Sequence, residues 1–474
     1  MVNARRFLTD GFIILIGQGL SRGLGVLLLP ILTMVFLPSQ FGMSALATSY
    51  VSFVSVIALL GLDLTYLQSI PGAAKPEADA TERVIWTLTL SLAICAAIIG
   101  SAAWWLWGKQ TPESTPWLAL GIFSTMIFSV CQSQMKVARQ YLRLAFALSV
   151  GGVVMYAWVL ARGYSGYNQA VTLVSGYAMG VASAVLVSRP KINFLNGFDF
   201  QTITKVQQLI KIGLPAAFIA PVFWIISSMD RWLVAQFWGV YEAGIYTVAA
   251  SISGIALLFG SVVQTVWMTE ASRLSNSTNG ACSTQLADRI KEICFIFALV
   301  WLALMSISSE IIHIFAKSPY DQAIIYLPWM LTSVMLYNLY HALSVFLVIT
   351  KELGRATIIW LFGGALFVLL SLVFSKTNGP EVIALAQVLV YGLMLLWVYI
   401  LVRRRAGLHI KASGSLLLMV AILLTGAAMA VTQDIHFNAA HLIARLASFI
   451  VLAVLVAWHF KSQIIIIING RNSK

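Results

Sequence analysis

Fourteen apolar stretches, most about 20 residues long as a bilayer crossing requires, follow one another along the 474 residues with short polar gaps between them. No other feature limits the fold as strongly. In hydrocarbon no water satisfies a backbone N–H or C=O, so a spanning segment must close its own bonds as a helix or share them in a closed barrel. These stretches are long and lack strand alternation, which selects helices. They fall near 11–36, 42–69, 84–107, 117–135, 143–161, 167–187, 210–229, 240–268, 291–314, 323–350, 355–375, 381–402, 414–432 and 442–460. The isoleucine run at 464–468 extends the last helix or lies in the interface. The predicted fold class is all-α and polytopic. Composition agrees, with 60% hydrophobic and 10% charged residues, where soluble domains run near 25% charged.

Basic residues orient the helices, because Lys and Arg concentrate in cytoplasmic loops. With the N-terminus inside, 23 of the 30 Lys and Arg fall in inside segments, six fall outside (Lys109, Arg162, Arg231, Lys317, Lys376, Arg445), and Arg22 lies within the first span. Both termini are therefore predicted cytoplasmic. The net charge of +13 follows from this bias; the cations form no continuous stripe of the kind that binds nucleic acid. Arg5 and Arg6 resemble a twin-arginine export signal, but the apolar run after them is too long and more spans follow. Cys95, Cys131, Cys282 and Cys294 have no metal or redox spacing and read as packing residues.

Residues 36–47, FLPSQFGMSALA, echo residues 238–249, WGVYEAGIYTVA, at an offset of 202 that aligns Gly42 with Gly244 and Ala47 with Ala249. The first copy opens spans one and two, the second spans seven and eight. Two parallel six-helix lobes around a central cavity follow, a common transporter plan: 1–190, a cytoplasmic linker 191–209, then 210–405, with two further helices and a tail in 406–474. PILTMVFLPSQFGMSALA and MDRWLVAQFWGVYEAGIYTVAASISGI, with Asp230-Arg231 followed by Gly244 and Tyr246, resemble the polysaccharide (O-antigen unit) flippases of the Wzx type. These belong to the multidrug/oligosaccharidyl-lipid/polysaccharide exporter superfamily. Thr33 departs from the pattern, where such flippases often carry a basic residue. The resemblance implies flipping of an undecaprenyl-pyrophosphate-linked oligosaccharide across a bacterial inner membrane. It makes the substrate and membrane lipids partners, with a polysaccharide polymerase, a chain-length regulator and a coupling cation as further candidates.

Arg22 sits mid-span among Gly19, Ser21 and Gly23. A charge there costs about 2.5–3.5 kcal/mol on insertion scales, so it faces protein or a water-filled cavity. Its planar donors suit a diphosphate; a structural pairing with a carboxylate is the competing reading. Lys136 and Arg139, with Arg143, share a helical face by their spacing and form a cytoplasmic cluster that either captures the headgroup or only sets topology. Asn338 and His341, three residues apart in span ten, suit sugar contacts, proton handling or interhelical hydrogen bonds. Asp63, late in span two, and Asp230 with Arg231, at the outer end of span seven, are candidates for gating or coupling, or for helix-end ion pairs. Glu310 and His313 lack the first histidine of a zincin motif, His436 and His441 form a weak metal pattern, and no nucleotide motif occurs. No catalytic group, metal or cofactor is predicted, and the chain is read as a transporter rather than an enzyme. A cation-coupled multidrug exporter would want deep acidic groups, whereas the deepest charge here is positive. A membrane polymerase or ligase would want a large external loop, whereas the longest polar gaps, around 188–209 and 270–290, are cytoplasmic.

Overall fold

The structure, a computed structural model, describes residues 23–459 except 72–73, 108–111, 168, 193–199, 276–281, 350–351, 376–378, 407–413 and 432–438, and before them only Gly17, Gly19 and Leu20. Arg22, Lys109, Lys376, His436 and the 464–468 run lie outside the described residues. Among those described, every regular element is helical: α1 (Leu29–Val35), α2 (Pro38–Ala58), α3 (Leu62–Ser69), α4 (Lys75–Trp107), α5 (Thr115–Val137), α6 (Tyr141–Tyr164), α7 (Ala170–Ser188), α8 (Phe200–Trp238), α9 (Val240–Ser275), α10 (Cys282–Ser306), α11 (Ser308–Phe315), α12 (Ala323–Ile349), α13 (Leu353–Phe374), α14 (Glu381–Ala406), α15 (Gly414–Val431) and α16 (Ala439–His459). Ten helices among the described residues are long and apolar enough to cross a membrane, or eleven when α10 and α11, bent by 57°, count as one span. A shorter apolar helix, Leu418–Ala430, lies in α15. The span expected at 210–229 lies inside α8, and the one at 11–36 is described only in part.

Two expected boundaries move. The stretch 42–69 is two helices, because Leu60 (φ 51°) and Gly61 (φ 70°) take left-handed conformations and end α2. Leu59, Leu60 and Leu62 crowd the break, so a window of span length carries across it. At Gly61 the backbone of α8 comes in: a Cβ there would lie 2.5 Å from the Gly213 carbonyl oxygen, and one on Gly213 2.6 Å from that of Leu60. Span seven, in turn, continues as one helix to Trp238 and turns only at Gly239, φ 95°. Asp230 and Arg231 therefore lie two turns inside a helix and not at its end.

The echoed segments start their helices in the same way. Phe36 and Leu37 are extended, and Pro38 opens α2, where its missing N–H removes nothing the helix would use. The Gln40 side chain accepts the Leu37 N–H at 2.8 Å. α9 begins at Val240 after the Gly239 turn. The two starts meet reciprocally: a Cβ on Gly42 would overlap the Val240 carbonyl oxygen, and one on Gly244 that of Pro38. Positions 42 and 244, like 38 and 240, are related by the repeat offset, so the two helix starts obey a local two-fold relation.

By packing, the chain forms two compact units, Met1–Ser251 with Trp360–Pro380, and Ile252–Ile359 with Glu381–Lys474. In the first, α2 packs on α5 and α8, α4 on α5, and both α5 and α6 on α7. Ile85, Trp86, Leu118, Ile122, Met126 and Leu144 fill its core. In the second, α12 packs on α10 and α14, and α10 carries α15 and α16.

Candidate functional site

In the first unit a polar seam joins α3, α4, α5 and the residues after α7. Asp63 falls in the first turn of α3, where a negative charge suits the helix dipole. It accepts the Leu64 N–H at 2.9 Å and the Ser129 hydroxyl of α5 at 3.0 Å. One turn on, the Tyr66 hydroxyl donates to Glu82 Oε1 of α4 at 2.5 Å, and Gln134 Nε2 of α5 donates to the same oxygen at 2.8 Å. Gln134 also donates to the Lys191 carbonyl at 3.1 Å and accepts the Lys191 N–H at 3.3 Å. Lys136, half-buried two residues beyond Gln134, is near enough to Asp63 for the two opposite charges to interact. The structure thus brings together two residues that the sequence assigns to different roles.

The single basic face expected for residues 136, 139 and 143 does not form. α5 ends at Val137, and Arg139 is exposed in a left-handed turn (φ 53°) before α6 begins. Arg143 turns back to Gln140 Oε1 at 3.3 Å and the Val187 carbonyl at 3.4 Å. A side-chain spacing shares a face only while one helix carries it.

Asp230, 3% exposed, accepts the backbone N–H of Arg231 at 2.8 Å. Arg231 Nε is buried and has no hydrogen-bond partner among the described residues. Around this pair α8 is fastened to α2 by indoles: Trp232 Nε1 donates to the Ser49 hydroxyl at 2.7 Å, and Trp224 Nε1 to the Ser49 carbonyl at 2.9 Å. The Trp232 ring stands edge-on to Trp104 of α4, centroids 6.0 Å apart. Sequence reading passed over these tryptophans, although two indoles eight residues apart in an apolar helix each need an acceptor.

In the second unit Asn338 is 2% exposed and turns to α9, donating to the Ala256 carbonyl at 3.2 Å beside Gly260. Its Oδ1 is buried without a hydrogen-bond partner among the described residues. His341 packs instead with Tyr337 (4.4 Å between ring centroids) and Tyr340 (5.5 Å), and Tyr337 meets Tyr391 of α14 at 5.4 Å. The rings meet tilted or edge-on, with Tyr340 and Tyr391 buried, and these contacts knit α12 to α14.

Arg445, placed by its sequence position among the outside cations, lies in α16 with 6% of its side chain exposed. It donates to Glu310 Oε1 at 2.7 Å and to the Ser309 hydroxyl at 2.9 Å. Glu310 is thereby committed to an ion pair at the α10–α11 elbow and to no ExxH site. The signal available was one lone acid and one lone base in separate apolar spans, since a charge in a span seeks its opposite.

A family described as "Polysaccharide biosynthesis protein" matches residues 31–325. No curated protein matches the chain. Among solved structures, "Lipid II flippase MurJ, inward closed conformation" aligns at TM-score 0.73 and 15% identity, over 96% of this chain and 99% of that one. An inward-facing multidrug resistance MATE family transporter of the MOP superfamily aligns at TM-score 0.64 and 14% identity, over 84% and 96%. A MOP superfamily transporter from Pyrococcus furiosus aligns at TM-score 0.58 and 13% identity, over 85% and 95%. At these identities the likeness is one of fold. With the helical fold of these transporters and a family match over more than half its length, this multi-pass membrane chain belongs to the polysaccharide biosynthesis protein family.

Proposed function

We propose that this protein flips an undecaprenyl-pyrophosphate-linked oligosaccharide, such as an O-antigen unit, from the cytoplasmic to the periplasmic leaflet of a bacterial inner membrane by alternating access. The observation that carries the reading is the alignment with a lipid II flippase over nearly the whole of both chains, in a member of a polysaccharide biosynthesis family. A diphosphate with sugars cannot enter hydrocarbon unaided, while a polyprenyl tail can remain there. A cavity between two lobes, 1–190 and 210–405, serves such a substrate. Both termini are cytoplasmic in this reading, and residues 406–474 add two helices. Arg22, Lys136 and Arg139 neutralise the diphosphate, Asn338 and His341 meet the sugars, and Asp63, Asp230 and Arg231 gate or couple the movement. Lys136 near Asp63 supports this division, since a cation that attracts a carboxylate also attracts a phosphate.

Reconstitution in vesicles with a fluorescent lipid-linked oligosaccharide tests the class: protein-dependent movement between leaflets is the expected result. In cells, depletion strands the oligosaccharide on the cytoplasmic leaflet while synthesis continues; intact flipping with unpolymerised single units would point to a polymerase. Arg22→Ala is expected to abolish flipping at normal membrane abundance, Arg22→Lys to keep part of it, and Arg22→Glu to be inactive. Full activity of Arg22→Ala removes this residue from the binding role. Loss of folded protein, rescued by neutralising a carboxylate, makes it structural. A second reading, cation-coupled drug export, draws on the MATE alignment and the buried Asp230. It predicts drug hypersensitivity on deletion, with surface polysaccharide unchanged.

A further inference from the structure

The Gln134 amide has two N–H donors and one carbonyl. One N–H goes to Glu82 and the other to the Lys191 carbonyl, while the amide oxygen takes the Lys191 N–H. The opposite rotamer would set the amide oxygen against the Glu82 carboxylate, and would at the same time pair oxygen with oxygen and N–H with N–H at Lys191. The carboxylate therefore fixes which way the amide points. Tyr66, buried beneath, holds that carboxylate oxygen at 2.5 Å.

The inner bonds of this chain are short and partly buried, at 2.5 and 2.8 Å; the outer ones, to Lys191, are longer and exposed, at 3.1 and 3.3 Å. Short charge-assisted bonds shielded from water hold, whereas long exposed ones exchange with water at small cost. Lys191 is where the chain leaves α7 for α8, just after the left-handed Arg189 (φ 38°) that caps α7.

We propose that Glu82 is a positioning residue that orients Gln134 as a latch, tying the chain just after α7 to α5 at Lys191. The inner half is permanent and the outer half is the part that opens. A taut tie carries movement of α5 to the end of α7; a slack one wastes it. This use of the latch rests on the flippase reading, and the latch itself does not.

Hydrogen exchange on the full-length protein in lipid nanodiscs tests the latch without reference to transport. Glu82→Leu and Gln134→Leu should each raise exchange at 189–192 several-fold, through the Lys191 amide, with α4 and α5 still protected. Glu82→Gln, whose carbonyl can accept from both Tyr66 and Gln134, should restore protection. Unchanged exchange at 189–192 in both leucine variants overturns the proposal, as does a rise throughout α4 and α5 that Glu82→Gln fails to reverse, which marks Glu82 as ordinary packing. Flipping assays add a second arm. Glu82→Leu should lower the maximal rate several-fold and leave the half-saturating concentration of lipid-linked oligosaccharide unchanged. A raised half-saturating concentration at full rate would make Glu82 part of the substrate site and overturn its assignment to the latch. If no variant or wild type flips the lipid, the flippase reading fails while the exchange result stands.

Discussion

The two copies of the opening hairpin begin alike and end differently. Gly42 and Gly244 press on each other's helix starts in matching fashion, and each copy then runs, four residues out of register with the offset of 202, through the same four residues, Ile57–Leu60 and Ile255–Leu258, reading IALL. In the first copy the helix breaks there at Leu60 and Gly61; in the second, α9 passes through Phe259 and Gly260 and continues to Ser275. The same apolar sequence is thus a helix end in one setting and a helix interior in the other. What differs is the neighbour: the Gly213 backbone at Gly61, the Asn338 side chain at Gly260. Tertiary partners override local preference, and symmetry survives only at the helix starts, where Gly42 and Gly244 meet each other's segments.

Substitutions can break this comparison in order of size. Gly42→Val and Gly244→Val each place side-chain atoms onto a carbonyl that cannot move without its helix, and should cost about 3 kcal/mol or more. Because the glycines share one contact, the double variant should cost less than the sum. Denaturant titration of purified protein reads both; additive losses would mean that the glycines act independently. Gly61→Ala should come next, at about 2–3 kcal/mol, since it combines left-handed strain with the Gly213 contact. Gly260→Ala should cost about 1–2 kcal/mol and be largely relieved by Asn338→Ala, whereas no side-chain change should rescue Gly61→Ala. Last, Gly254 faces nothing within 4 Å, so Gly254→Ala should raise stability by about 0.5–1 kcal/mol; a loss there would reveal a close neighbour.

The helical, multi-pass class was legible because apolar length alone dictates it, and the matching helix starts because Gly42 and Gly244 have no room for a side chain. The break at Gly61 was not, since Leu59, Leu60 and Leu62 flank it closely and the arriving α8 backbone is what distinguishes the turn. At the site, Asp63 and Lys136 were singled out separately and Glu82 and Gln134 not at all. A bond across 52 residues leaves no spacing to read. Arg139 was placed on a helix face that the end of α5 removes. Arg445 was counted with loops because loop charge, the quantity that sets orientation, does not register a partner 135 residues earlier in the chain.

That separation also has a meaning in time. At about 5–20 residues per second of synthesis, Glu310 emerges roughly 7–27 s before Arg445, the cation that completes it. Throughout that interval the nascent chain carries an acid in the α10–α11 elbow with no base to meet it. Any fusion that ends the chain between 311 and 444, the usual way of asking which side of a membrane a loop occupies, makes the interval permanent. Reporters placed there describe an unfinished molecule, and only insertions that leave α16 in place interrogate the finished one.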